Sequence, residues 1–209
     1  GLGAATLGYT GYLHSLQYAR ERPQGRHPRD KDPMSPQVPI IEHADIKRLL
    51  MAQKCAAEGS LALTLYCAYL IDLQRTVEYA DERRRLGLLL DILTPVAKSW
   101  PSEFCLEANK HAIQILGGYG YTREFPMERF YRDNRLNAIH EGTHGIHGLD
   151  LLGRKVVMQG GAAFDTLYEE YDETAAQAAA WPELAEFRTA FMASTSVLRE
   201  TTAALVAVN

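Results

Sequence analysis

Apolar residues recur at helical spacing along nearly the whole chain. Between Glu42 and about Arg75, the residues Ile46, Leu49, Leu50, Ala57, Leu61, Leu65, Ala68 and Ile71 repeat with a helical period. They predict a helix longer than the roughly 10 to 14 residues usual in globular proteins. A first helix is expected to run to about Arg22, where Pro23 and Gly25 stop it, followed by a polar loop from Gln24 to Pro39. The charged stretch Glu78 to Arg85 reads as a turn or solvated end. A third helical pattern runs from Leu86 to Leu116, with Pro95 and Pro101 expected to kink or break its first half. Gly117-Gly118-Tyr119-Gly120 closes it, since a helix end that turns left-handed favours glycine. A short helix over Met127–Asn137 and another over Gly142–Gln159 follow. No segment alternates apolar and polar long enough to argue for a sheet. The fold class is therefore all-α: an antiparallel four-helix bundle over residues 1–159. After Gly160-Gly161 comes a helical appendage over residues 160–209, interrupted at Pro182 and resumed from Glu183 to Val208.

Composition narrows the partners. The 209 residues are 46% hydrophobic and 23% charged, with a net charge of −4 and a pI near 6.0. A chain of this balance has no broad positive field, so nucleic acid is not expected as a partner. Cys55, Cys67 and Cys105 lie within apolar helical patterns without C-x-x-C spacing. They predict buried, reduced thiols in a cytoplasmic protein, and neither a metal site nor a disulfide framework. The most apolar run, Leu61 to Leu73, is shorter than the ~18 residues of a membrane span and contains Thr64, Tyr66 and Asp72, so no span is expected. The chain opens on Gly1-Leu2-Gly3, without an initiator Met or signal-peptide pattern, and reads as entered partway through a helix.

Three constellations could carry chemistry. Glu141-Gly142-Thr143 puts a carboxylate at a predicted helix start, where backbone N–H groups and the helix dipole favour negative charge. Such a group can act as a base, or simply cap a helix. The closely spaced glycines of Gln114-Ile115-Leu116-Gly117-Gly118-Tyr119-Gly120 allow backbone to approach a pyrophosphate. They equally make a ligand-free helix end, and the order helix-then-glycines is opposite to a Rossmann or P-loop turn. The guanidinium cluster of Arg20-Glu21-Arg22-Pro23-Gln24-Gly25-Arg26 suits bidentate phosphate recognition, and also what a helix C-terminus prefers.

Taken in order with Ile41-Glu42-His43 and with Arg132-Asp133 leading into Glu141, these segments resemble the C-terminal domain of the acyl-CoA dehydrogenases over about Leu2 to Lys155. Leu93–Pro101 and Gly148–Lys155 are similar to the subgroup with an extended C-terminus, which includes enzymes acting on 3-methylmercaptopropionyl-CoA. The resemblance implies a flavoenzyme that uses FAD to oxidise an acyl-CoA to a trans-2-enoyl-CoA. It casts Glu141 as the base for the α-proton, its backbone N–H as a donor to the thioester carbonyl, and Gly142 as a substrate contact. FAD contacts fall on Arg22, Gln24, His43, Gln114, Gly117, Gly118 and Thr143, with those of Arg22, Gln114, Gly117 and Gly118 made across a subunit boundary. Implied partners are the acyl-CoA, an electron-transfer flavoprotein as electron acceptor, and further copies of the chain in a homodimer or homotetramer.

The sequence departs from the family pattern at several points. Arg-Pro-Gln-Gly stands where many relatives have Arg-x-x-Phe-Gly, Ala44 where Gln often follows the His, and His140 where Tyr is common. No counterpart of the family's N-terminal helical and middle β-domains lies in these residues, so the chain is expected to be a fragment without turnover. Two other readings compete. A plain oligomerisation bundle has no need of all three motifs in one order. A flavin-binding relative in a nucleic-acid-associated role is disfavoured by the acidic balance.

Overall fold

The computed structural model describes residues 1–27, 29–30 and 32–208. Among them are seven α-helices: α1 (Leu2–Glu21), α2 (Ala44–Thr76), α3 (Ala80–Leu116), α4 (Met127–Asn137), α5 (His144–Asp150), α6 (Ala162–Ala178) and α7 (Ala185–Val208). No strand occurs among the described residues, and Pro23 and Pro39 form one isolated antiparallel bridge. The all-α reading holds. The chain divides into two compact units, residues 1–66 with 97–144 and residues 67–96 with 145–209, so α2 and α3 contribute to both.

In the first unit α1, α2, α3 and α4 alternate in direction. Ser15 donates to Gln53 across α1 and α2 at 2.9 Å. Asn109 of α3 donates to the Leu7 carbonyl at 2.9 Å, and Asn134 of α4 approaches the Ala4 carbonyl. The small residues of α1 let α3 close in. A Cβ at Gly8 would sit 2.7 Å from Cys105 Cβ, a spacing only glycine permits. Around this contact the buried polar groups form a ladder. Asn134 donates to Asn109 at 2.6 Å, Asn137 donates to Asn134 at 3.0 Å, and Cys105 Sγ lies 3.2 Å from Ser60 Oγ. Pairing each group offsets the cost of leaving a buried amide dry, about 1–3 kcal/mol apiece. Apolar packing continues toward the C-terminal end of α1, where Tyr12, Ala19, Leu49, Leu50, Ile115 and Met127 share one buried cluster.

In the second unit α6 and α7 pack together through Tyr171 and Phe191, whose rings meet edge to face at 5.5 Å. Tyr168 donates its hydroxyl to the Thr195 carbonyl at 2.9 Å. Ion pairs tie this part to α3, Arg85 with Glu170 and the buried Lys155 with Asp91.

Several expectations change. The stretch Asp81 to Arg85 is helical, because Asp81 and Glu82 in the first turn of α3 complement its dipole and Arg85 finds carboxylate partners in Glu82 and Glu170. Neither Pro95 nor Pro101 breaks α3. The hydroxyls of Thr94 and Ser102 bond the Leu90 and Lys98 carbonyls at 2.7 and 3.0 Å, next to the Asp91 and Ala97 carbonyls that the prolines, lacking an N–H, cannot serve. The helix expected over Gly142–Gln159 is shorter. α5 gives way to a wider, π-helical turn over Leu151–Lys155, and left-handed backbone at Gln159, Gly160 and Gly161 ends the run. Cys105 is buried as expected, but Cys55 is exposed on α2. α2 also carries an 18-residue window of mean hydropathy 1.2, long and apolar enough to cross a membrane by length and composition, although the uninterrupted run within it was too short. Its buried Gln53 and Ser60 pack instead into the bundle.

Candidate functional site

Two separate surfaces of the first unit carry the residues of interest. At the first, α1 ends on Glu21 and the chain doubles back. The Arg22 carbonyl accepts from Ile40 N–H at 2.8 Å, and Gln24 N–H donates to Val38 at 3.0 Å. This short pairing folds Gln24 and Gly25 against His43, whose Nε2–H donates to the Gln24 carbonyl at 2.7 Å and is thereby fixed as the protonated nitrogen. Facing them is the C-terminal end of α3. Together Gln24, His43, Gln114 and Gly117, with Tyr18 and Ile46, line a pocket of about 280 Å³.

Gly117 adopts φ +60, a conformation that costs an L-residue roughly 1 kcal/mol and that glycine takes freely. A Cβ at Gly117 or Gly118 would meet nothing within 4 Å, so this backbone is open to a close approach from outside. Beyond it, Arg22 lays its guanidinium 5.6 Å from the Tyr119 ring centroid, a cation–π arrangement. The Arg22 Nε is buried without a hydrogen-bond partner. A buried guanidinium N–H with unused donor capacity is costly unless an acceptor reaches it, and phosphate oxygens suit that role.

At the second surface the chain leaves α4 in a turn through Ala138–Gly142 and enters α5 at His144. Glu141 lies in this turn at φ +60 and Gly142 at φ +113. Glu141 is therefore not the residue that opens the helix, as its sequence context suggested. It sits ahead of α5 on left-handed backbone, with its side chain 75% exposed and 3.9 Å from His140 Nδ1. The turn is gripped on both flanks by α3. Lys98 donates to the Asn137 carbonyl at 2.8 Å, and Ser99 Oγ lies 2.6 Å from His144 Nδ1. The positive charge of Lys98 at the end of α4 complements that helix's dipole.

The family model for the acyl-CoA dehydrogenase C-terminal domain matches residues 2–156. The chain belongs to the acyl-CoA dehydrogenase family. The broad-specificity linear acyl-CoA dehydrogenase FadE5 of Mycobacterium tuberculosis is 37% identical over 161 residues, which cover 76% of this chain and 26% of that protein. The 3-methylmercaptopropionyl-CoA dehydrogenase of Ruegeria pomeroyi is 36% identical over 163 residues, 77% of this chain and 27% of that protein. Among solved structures, butyryl-CoA dehydrogenase from Megasphaera elsdenii shares the fold with a TM-score of 0.56 at 22% identity, over 72% of this chain and 33% of that one. The chain spans about a quarter of the length of the curated relatives it matches.

Within this acyl-CoA dehydrogenase domain, the pocket gathers Gln24, His43, Gln114 and Gly117, while Arg22 and Gly118 adjoin these in sequence without lining it. Glu141, Gly142 and Thr143 form the other group and do not line that pocket. Lys98, Ser99 and Glu103 on α3 and His144 on α5 carry no signal of this role in the sequence. A polar run on α3 gives no warning that it meets a turn some forty residues later. The buried Asn109 and Asn134 were likewise missed, although an asparagine at a core-facing helical position is a usable sign of a polar network.

Proposed function

We propose that this chain is the C-terminal part of an FAD-dependent dehydrogenase that converts an acyl-CoA to a trans-2-enoyl-CoA. Glu141 takes the α-proton onto its carboxylate, the C–H electron pair forms the new double bond, and the β-hydrogen departs as hydride. When bound, FAD supplies the acceptor for that hydride. The residues fit such a group. The unpartnered Arg22 Nε suits a phosphate oxygen, the bare backbone at Gly117 and Gly118 admits one closely, and Gln24, His43 and Gln114 offer polar atoms around a concavity. Thr143 contacts the nucleotide and Gly142 the substrate. The observation that carries the reading is the pocket itself, which unites residues from three distant segments.

Glu141 suits a base that must meet a bound ligand, because its carboxylate faces outward and the turn around it is anchored. Its separation from the nucleotide pocket fits a site completed by another copy of the chain, Arg22, Gln114 and the glycines serving the neighbour's FAD. The exposed Met51 and Leu65 of α2 offer apolar surface for association into a homodimer or homotetramer. Residues 1–159 act as the bundle and 160–209 as an extension, in a cytoplasmic enzyme that passes electrons to an electron-transfer flavoprotein.

The test is Glu141→Gln in the full-length protein, assayed on a panel of acyl-CoAs. FAD should stay bound while kcat falls about 10³-fold, the scale of a lost general base. Near-normal turnover rejects Glu141 as the base. The 209-residue chain alone should not turn over, and dehydrogenation by it overturns that part of the proposal.

A further inference from the structure

Glu141 is an exposed glutamate on left-handed backbone, and a base needs a defined position. An exposed side chain with no close partner samples several rotamers. The N–H groups of Ala138, Ile139 and His140 donate back to Arg135 and Leu136 at the end of α4, and the left-handed Glu141 and Gly142 follow these bonds. The distances on either side supply an answer. One face of α3 holds both ends of the segment. Lys98 binds the Asn137 carbonyl at 2.8 Å, four residues before Glu141. The adjacent Ser99 binds His144 at 2.6 Å, three residues after it. Asn137 is held in turn by Asn134, and Asn134 by Asn109 on α3.

Of these anchors, His144 is the most specific. Its Nδ1 meets Ser99 Oγ, while Glu103, one helical turn further along α3, brings Oε2 within 2.9 Å of Nε2. That carboxylate lies off the axis of the ring N–H and makes no well-formed hydrogen bond. Ser99 therefore supplies the directional bond and Glu103 a charge that favours a ring N–H on its side. The ring thus meets two side chains of one helix, Ser99 through a hydrogen bond and Glu103 through charge at short range, which together restrict its tilt.

We propose that His144 is a positioning residue for Glu141: clamped by Ser99 and Glu103, it fixes the exit of the 138–143 turn as Lys98 fixes its entry. His144 does not touch the reacting atoms. It holds the backbone from which the base projects, and small displacements of a catalytic group cost large factors in rate. This inference rests on the reading of Glu141 as the base.

The experiment compares His144→Ala, His144→Asn and Ser99→Ala in the full-length FAD-bound protein. Readouts are kcat, KM, FAD content, and exchange of the acyl-CoA α-hydrogen with solvent deuterium, which follows the base apart from hydride transfer. His144→Ala should lower kcat and α-exchange together by about 10- to 100-fold, with KM and FAD content near wild type. His144→Asn, whose amide reaches the place of Nδ1, should recover most of that loss, and should cease to do so once Ser99→Ala is added. A His144→Ala protein that keeps FAD and exchanges the α-hydrogen at the wild-type rate overturns the proposal, as does loss of rate only through loss of FAD. Failure of the underlying function looks different, since the wild-type protein would then dehydrogenate no acyl-CoA. In that event hydrogen exchange of the 209-residue chain still decides the clamp. His144→Ala should speed amide exchange across 138–143 while leaving that of α1 unchanged, and an unchanged turn counts against it.

Discussion

The pocket lined by Gln24, His43 and Gln114 and the Glu141 turn lie in one helical unit but are built in opposite ways. The pocket is concave. Its polar groups are fixed by local bonds such as His43 to Gln24, and one guanidinium nitrogen beside it is buried with its donor unused. The turn is exposed, its glutamate in solvent, and besides the bonds that Ala138, Ile139 and His140 return to α4 it is tied to α3 at both flanks. The contrast teaches that a concave and an exposed surface are ordered by different means, one by bonds within itself and the other also by a neighbouring helix. The pocket's polar groups are held by bonds among neighbouring helix ends. Under the proposed function, an exposed Glu141 takes its precision from what holds its backbone.

Breaking each side separately sharpens the contrast. Asn134→Ala removes the middle of the ladder beneath the turn, stranding the Asn109 oxygen and the Asn137 amide. It should cost about 2–3 kcal/mol in chemical denaturation. A cost below half of that would mean that water or a rearranged amide satisfies those groups. Arg22→Ala acts on the pocket side alone and should weaken FAD binding by roughly 10-fold, the scale of one charge-assisted hydrogen bond. Titration calorimetry on the apo full-length protein reads this, and an unchanged affinity removes Arg22 from the site. Gly117→Ala should cost about 1 kcal/mol of thermal stability, because φ +60 strains any Cβ even where space is free.

The smallest effect concerns pH. Burial holds the His111 imidazole below its ordinary value of 6.5, outweighing the opposing pull of Glu107. The unfolded chain then binds this proton more tightly than the folded one. Stability from this group is complete above about pH 6.5 and declines as the pH falls beneath it. His111→Gln should flatten that decline slightly in melts between pH 7 and 5, roughly the window set by the histidine's ordinary titration. A steeper decline in the variant would reverse the sign argued here.

Much of this was legible in the sequence because punctuation and period agreed. Pro23 with Gly25 ends α1, the glycines after Leu116 end α3, and Met127–Asn137 is the observed α4. The pocket residues were legible only through the family resemblance, since Gln24, His43 and Gln114 share no local pattern. Other features depend on contacts that spacing cannot express. Asp81–Arg85 looked like a solvated end until Arg85 met Glu170, 85 residues away. Glu141 looked like a helix opener, but the left-handed backbone at Glu141 and Gly142 delays α5 to His144. The clamp on that turn joins residues 45 apart, and only folding brings Ser99 to His144.

The division of labour between the two surfaces is tested most directly by measuring turnover of full-length Glu141→Gln and Arg22→Ala as FAD is raised to saturation. Added FAD should restore Arg22→Ala close to the wild-type rate and leave Glu141→Gln inactive with its flavin fully bound. Recovery of Glu141→Gln at high FAD, or failure of Arg22→Ala to recover, contradicts the assignment of chemistry to the turn and of cofactor binding to the pocket.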